Sequence, residues 1–165
     1  GKEGMQLIFG DSILFSFLKY VFVNPNTFFP PMSEIYHYPF LCAGWFGLLV
    51  TSMNMIPVGQ LDGGHISYTM FGDKKHYNVS AISAIILAVI GFAGVLDSVL
   101  EFNMGIGWSG WLFWAFLLYF VVKLKHPPVP DMLPLDKKRM FLGYISFFIF
   151  VISFSPSPLI IKVIG

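Results

Sequence analysis

The chain has 165 residues, of which 56% are hydrophobic, 18% aromatic and only 12% charged, with a mean hydropathy of +0.72. A water-soluble globule of this size has no interior large enough for so much apolar surface, one cysteine (Cys42) excludes a disulfide scaffold, and the aromatic content excludes disorder. A net charge of +1 gives no reason to expect a nucleic-acid partner. These numbers predict an all-α, multi-pass transmembrane helical bundle.

In chain order, the first apolar stretch runs from Met5 to Val23 and is interrupted at Gly10, Asp11 and Ser12. Asp11 or Ser12 is a good helix N-cap, and the helix from there to Val23 is too short to span a bilayer and contains Lys19. Residues 1–38 therefore read as an interfacial or re-entrant helix plus an outer loop, with a tilted span as the alternative. Four longer apolar runs come next: Pro39 to Ile56, Val79 to Leu100, Trp108 to Val122 and Met140 to Phe154. A spanning helix needs about 20 apolar residues, so residues 39–165 are expected to form about four transmembrane helices of a single membrane domain. His126-Pro127-Pro128-Val129-Pro130-Asp131 is expected to be a stiff, extended linker.

Basic residues mark cytoplasmic loops. Lys74 and Lys75 lie between the first and second long runs, and Lys123, Lys125, Lys137, Lys138 and Arg139 between the third and fourth. The intervening loops carry Glu34 and Glu101 without Lys or Arg. This alternation puts the 74–75 and 123–139 loops in the cytoplasm. A prokaryotic plasma membrane is the expected location, with an organelle membrane as the alternative.

One stretch departs from membrane-helix chemistry: Asn54-Met55-Ile56-Pro57-Val58-Gly59-Gln60-Leu61-Asp62-Gly63-Gly64-His65. Pro57 removes a helix hydrogen bond and clashes one turn back at Met53, and three glycines loosen the backbone beyond it. Irregular backbone at membrane depth is tolerated only inside protein or beside a water-filled cavity. A carboxylate at mid-membrane costs roughly 2.5–3.5 kcal/mol, which a bound cation at Asp62 would offset. Taken without further context, Asp62 equally suits a helix end facing water, and Asn54 a helix–helix hydrogen bond.

Asn54, Pro57, Leu61, Asp62, Gly63 and Gly64 together spell Asn-x-x-Pro-x-x-x-Leu-Asp-Gly-Gly. This resembles the second signature of the site-2 protease family of intramembrane zinc metalloproteases. Ala43-Gly44-Trp45-Phe46-Gly47-Leu48, the His126-Pro127-Pro128 linker, Leu142-Gly143 and the closing Phe154-Ser155-Pro156 resemble one branch of it. The resemblance implies a zinc endopeptidase that cuts membrane-spanning proteins within or near the bilayer. It implies Asp62 as one zinc ligand, with two histidines and a general-base Glu from a His-Glu-x-x-His helix. Asn54 would contact the substrate backbone or the developing oxyanion. Pro57 and Gly59 would open backbone for a substrate strand, while Gly63, Gly64 and His65 would support the metal ligand or break the helix; His65 reads more simply as helix surface.

No His-Glu pair occurs in this chain, whose histidines are His37, His65, His76 and His126. The start at Gly1 reads as a cut from a longer protein, so the first signature is expected upstream, with an inactive relative as the alternative, and the chain alone is expected to be inactive. The expected partners are a membrane-protein substrate, lipid and the upstream half of the same protein, with one Zn2+ per full-length chain. The rival reading is a non-catalytic bundle or transporter fragment in which Asp62 holds an ion or proton. Other conspicuous residues have plainer roles. His37 and His126 read as structural, Asp97 and Glu101 as solvated helix ends, Trp108, Trp111 and Trp114 as an interfacial belt, Met55 and Met70 as packing, and Cys42 as an inert thiol.

Overall fold

A computed structural model describes residues 4–102, 104–130 and 133–164, the last two of these by their backbone. Gly1 and Asp131, named in the sequence analysis, lie outside the described residues. The chain is mostly helical. Strand β1 (Gly4–Phe9) leads into α1 (Ile13–Phe22), α2 (Pro39–Asn54), α3 (Asp62–Phe71), α4 (Asp73–Val99), α5 (Gly110–Leu117), α6 (Lys137–Ser153) and strand β2 (Leu159–Ile164).

The break at Gly10–Ser12 ends β1 and starts α1, because the Ser12 hydroxyl accepts a 3.1 Å hydrogen bond from the Phe15 N–H. Lys19, on the last turns of α1, is paired with Asp11 at 3.0 Å. At ten residues α1 is about 15 Å long, half the hydrocarbon thickness of about 30 Å. Pro39 opens α2, where its missing N–H costs nothing. Asp136 caps α6 through a 2.8 Å hydrogen bond from the Arg139 N–H.

Two departures from the sequence expectation concern the chain ends. Gly4–Phe9 and Leu159–Ile164 are strands, not helix, and pair antiparallel from Phe9↔Leu159 to Gly4↔Ile164. Pro156 and Pro158 rule out continuing α6, and the apolar run behind them satisfies its backbone on β1 instead. The helical bundle thus carries a two-stranded sheet that the all-α expectation lacked.

The helices also have different bounds from those expected. α4 begins six residues early, since Gly72 at φ 78 turns α3 directly into it. Among the described residues, α4 is the one helix long and apolar enough to cross a membrane, and Ile13–Phe22 and Gly110–Val122 are shorter apolar helices. α5 widens to π-type hydrogen bonding over Leu118–Val122 and stops at Lys123, whose φ is 64. Outward from α4 project Ile82, Ile85, Val89 and Phe92, an exposed apolar face suited to lipid.

The main core joins Ile56 and Val58 to Leu87 of α4 and to Trp111, Ala115 and Leu118. α4 and α5 meet backbone to backbone, since a Cβ at Gly91 or Gly94 would strike the main chain of Leu112 or Trp108. Trp111 is fully buried and donates to the Pro156 carbonyl at 3.0 Å. It is therefore a core anchor, not part of an interfacial belt. A second cluster packs Phe9, Phe15, Ile35 and Trp45, whose indole N–H donates to the Gly10 carbonyl at 2.8 Å. Asp97 is no solvated end either: it accepts from the Met104 and Gly105 N–H groups and so closes the α4–α5 loop.

Candidate functional site

The helix break lies between α2 and α3 and covers residues 55–61, narrower than the expected Asn54–Gly64. Asn54 is the last residue of α2, and the helix resumes at Asp62. Gly63 and Gly64 are thus helical, in the first turn of α3. Backbone hydrogen bonds from Met55 to Thr51, Val58 to Ile56 and Leu61 to Val58 carry the chain through the break.

The break is buried: Ile56 is 1% and Val58 0% exposed. Its freed backbone groups are met by Ser80 of α4. The Ser80 hydroxyl donates to the Pro57 carbonyl at 3.1 Å and accepts from the Gly59 N–H at 3.4 Å. With its proton committed to Pro57, Ser80 accepts from His76 Nε2 at 3.3 Å. His76 is fully buried, and its Nδ1 has no partner among the described residues. One hydroxyl therefore substitutes for the solvent that an exposed break would need.

Glycines make the fold-back possible. A Cβ at Gly63 would strike the Met55 carbonyl, and one at Gly64 the carbonyls of Val58 and Gly59. Gly59 has φ 53 and approaches the Lys123 carbonyl. The signature is therefore pressed between its own preceding turn and the segment after α5.

Asn54 and Asp62, on either side of the break, are both exposed. Asp62 stands in the first turn of α3, where the helix dipole favours a carboxylate. It has no hydrogen bond or ion pair among the described residues. An exposed carboxylate is a donor type that zinc accepts, and a catalytic zinc site takes three protein ligands. Among the described residues no group of three or more His, Cys, Asp or Glu side chains is placed to hold a metal.

His65, one turn beyond Asp62, does not end free in solvent. Its Nδ1 lies 2.7 Å from Nε2 of His126, 61 positions away. His126 is buried, stacks on Tyr68 at 4.2 Å, and bonds through Nδ1 to the Pro127 carbonyl at 2.7 Å. The Val129 N–H donates to the Tyr68 hydroxyl at 3.3 Å. The proline linker thus straps α3. Sequence reasoning missed Ser80, Tyr68 and this use of His126, and no spacing in the chain signals any of them. Beside the strap, a cavity of about 360 Å³ opens between α3 and α6, lined in part by His65, Met70, Leu142 and Gly143.

A broken apolar helix, with an exposed carboxylate at the point where the helix resumes, is the feature that the sequence signature singled out. Residues 30–96, which contain the whole break, match Peptidase family M50. This segment is similar to the site-2 protease family. The chain is 26% identical over 121 residues to the probable zinc metalloprotease EGY2, chloroplastic, of Arabidopsis thaliana, covering 73% of this chain and 19% of that protein. It is 51% identical over 56 residues to the probable zinc metalloprotease EGY1, chloroplastic, of the same plant, covering 33% and 10%. The probable zinc metallopeptidase EGY3, chloroplastic, also of Arabidopsis thaliana, is 38% identical over 56 residues, covering 34% and 10%. The chain spans about a fifth or less of the length of these curated relatives. No solved structure matches it.

Proposed function

We propose that the chain is the C-terminal part of an intramembrane zinc endopeptidase acting on membrane-spanning proteins. The observation that carries this reading is the unpaired carboxylate of Asp62, held at the start of α3 by a buried break in an M50 segment. Two histidines and a general base from a His-Glu-x-x-His helix outside these residues would complete the metal site. Zinc, when bound, polarises the scissile carbonyl and acidifies its water.

This chain's own residues have three tasks. Asp62 supplies one metal ligand. Asn54, exposed at the end of α2, donates to the backbone of an unwound substrate or to the developing oxyanion. Pro57, Gly59 and Ser80 shape the turn, while Gly63 and Gly64 let α3 fold back against it. In a transporter fragment Asp62 would be enclosed by further donors. The match of residues 30–96 to Peptidase family M50 favours the protease.

The remaining partners belong to the same reading: lipid around the apolar face of α4, and the upstream half of the same protein. A multi-pass placement has the 74–75 and 123–139 loops in the cytoplasm, or on the equivalent side of an organelle membrane. The prokaryotic plasma membrane is the placement we favour; the chloroplastic names of the relatives make the organelle the competing one.

Two measurements test the proposal. Purified in detergent, the 165-residue chain alone is expected to hold far less than one zinc, because a single carboxylate competes poorly with water and buffer. Co-expression with a His-Glu-x-x-His segment is expected to raise the content to one by elemental analysis. Stoichiometric zinc on the chain alone would mean that ligands within it have been overlooked. In the complete protease, Asn54→Ala is expected to slow cleavage of a membrane-spanning substrate about 10²–10³-fold while zinc content stays near one, as for loss of an oxyanion donor. Loss of zinc on this substitution would reassign Asn54 to the metal.

A further inference from the structure

The protease reading leaves the His65–His126 pair without a task, and its hydrogen bonds dictate one. The Pro127 carbonyl only accepts, so Nδ1 of His126 carries a proton. In the neutral ring Nε2 is then bare, and His65 Nδ1 must be the donor across the 2.7 Å contact. His65 is left with an unprotonated Nε2 that has no partner among the described residues. The residue is exposed and lines the cavity of about 360 Å³ between α3 and α6. Three positions after Asp62, it shares that residue's side of the helix.

A membrane segment unwound for cleavage exposes backbone N–H groups that lack water and need acceptors. We propose that His65 contacts the substrate. Its Nε2 accepts a hydrogen bond from a backbone N–H of the extended segment, whose neighbouring apolar side chain enters the cavity beside Met70 and Leu142. His126 is the positioning residue that keeps His65 in the accepting tautomer. This assignment rests on the protease reading of Asp62, but the tautomer does not.

The first test is nitrogen-15 NMR of the histidine-labelled chain in detergent, which reads the tautomer of each ring. His65 is expected as the Nδ1–H form. His126→Phe, which keeps the ring on Tyr68 but accepts nothing, is expected to return His65 to the Nε2–H form that free imidazole side chains favour in water. An Nε2–H form of His65 in the unsubstituted chain would overturn the proposal. The second test is cleavage by the complete protease. His65→Phe and His126→Phe are each expected to slow it about tenfold with zinc retained, the cost of one neutral hydrogen bond. His126→Gln, whose amide oxygen accepts, is expected to restore most of the rate. Unchanged cleavage by His65→Phe, where Asp62→Ala is inactive, would overturn the role of His65, and so would loss of zinc on His65→Phe. Full cleavage by Asp62→Ala would instead overturn the metal-ligand role of Asp62, leaving the tautomer result standing.

Discussion

Asp62→Ala in the complete protease is expected to strip the zinc and abolish cleavage while leaving the protein folded. Folding survives because the carboxylate is exposed and holds no hydrogen bond or ion pair among the described residues, so its removal orphans nothing. The loss of a favourable helix-start charge costs only about 0.3–1 kcal/mol. The chemical loss is far larger. Removing even a supporting partner of a metal ligand costs roughly 10–100-fold in affinity or activity, and a ligand itself costs more. Zinc by elemental analysis, cleavage of a membrane-spanning substrate and helix content by circular dichroism separate these effects. Near-normal cleavage would remove Asp62 from the metal site.

Gly63→Ala is expected to have the opposite pattern, with a large structural loss and a functional loss that is its consequence. The added methyl group meets the Met55 carbonyl and the main chain at Ile56. Backbone atoms cannot rotate away as a side chain does. Relief therefore requires α3 to lift off the turn, which breaks the contacts of Ser80 with Pro57 and Gly59. Overpacking alone costs about 1–3 kcal/mol, and stranding the Pro57 carbonyl in the core adds about 1–3 kcal/mol. Gly44→Ala is the control. It sits in the interior of α2 with open space at its Cβ, so alanine is expected to stabilise the helix by about 0.5–1 kcal/mol. Thermal unfolding of the two variants in detergent compares them directly. Equal stability would mean that the fold-back of α3 is looser than the close approach at Gly63 requires.

Much of this site is legible in the residues themselves. The end of α2 is dictated by Pro57, since a missing N–H and a ring clash act within one turn wherever the chain goes. Asn54, Asp62 and the glycine pair are visible because their chemistry is tied to fixed local spacing. The place where the helix resumes is not visible there. Asp62-Gly63-Gly64 looks like continued disruption, since glycine disfavours helix, yet the turn behind it leaves room only for residues without a Cβ. Packing outweighs propensity at this point.

The apolar runs, their proline and glycine boundaries, and the signature with its Asp62 were determined by the sequence alone, because each depends on forces acting between near neighbours. Tertiary structure decided the rest: that β1 pairs with β2, that Trp111 lies in the core, that Ser80 satisfies the broken backbone, and that His126 reaches His65. These contacts join residues 21 to about 160 positions apart. No periodicity encodes them, because each partner is chosen by which buried donor or acceptor would otherwise go unmet once the helices have packed.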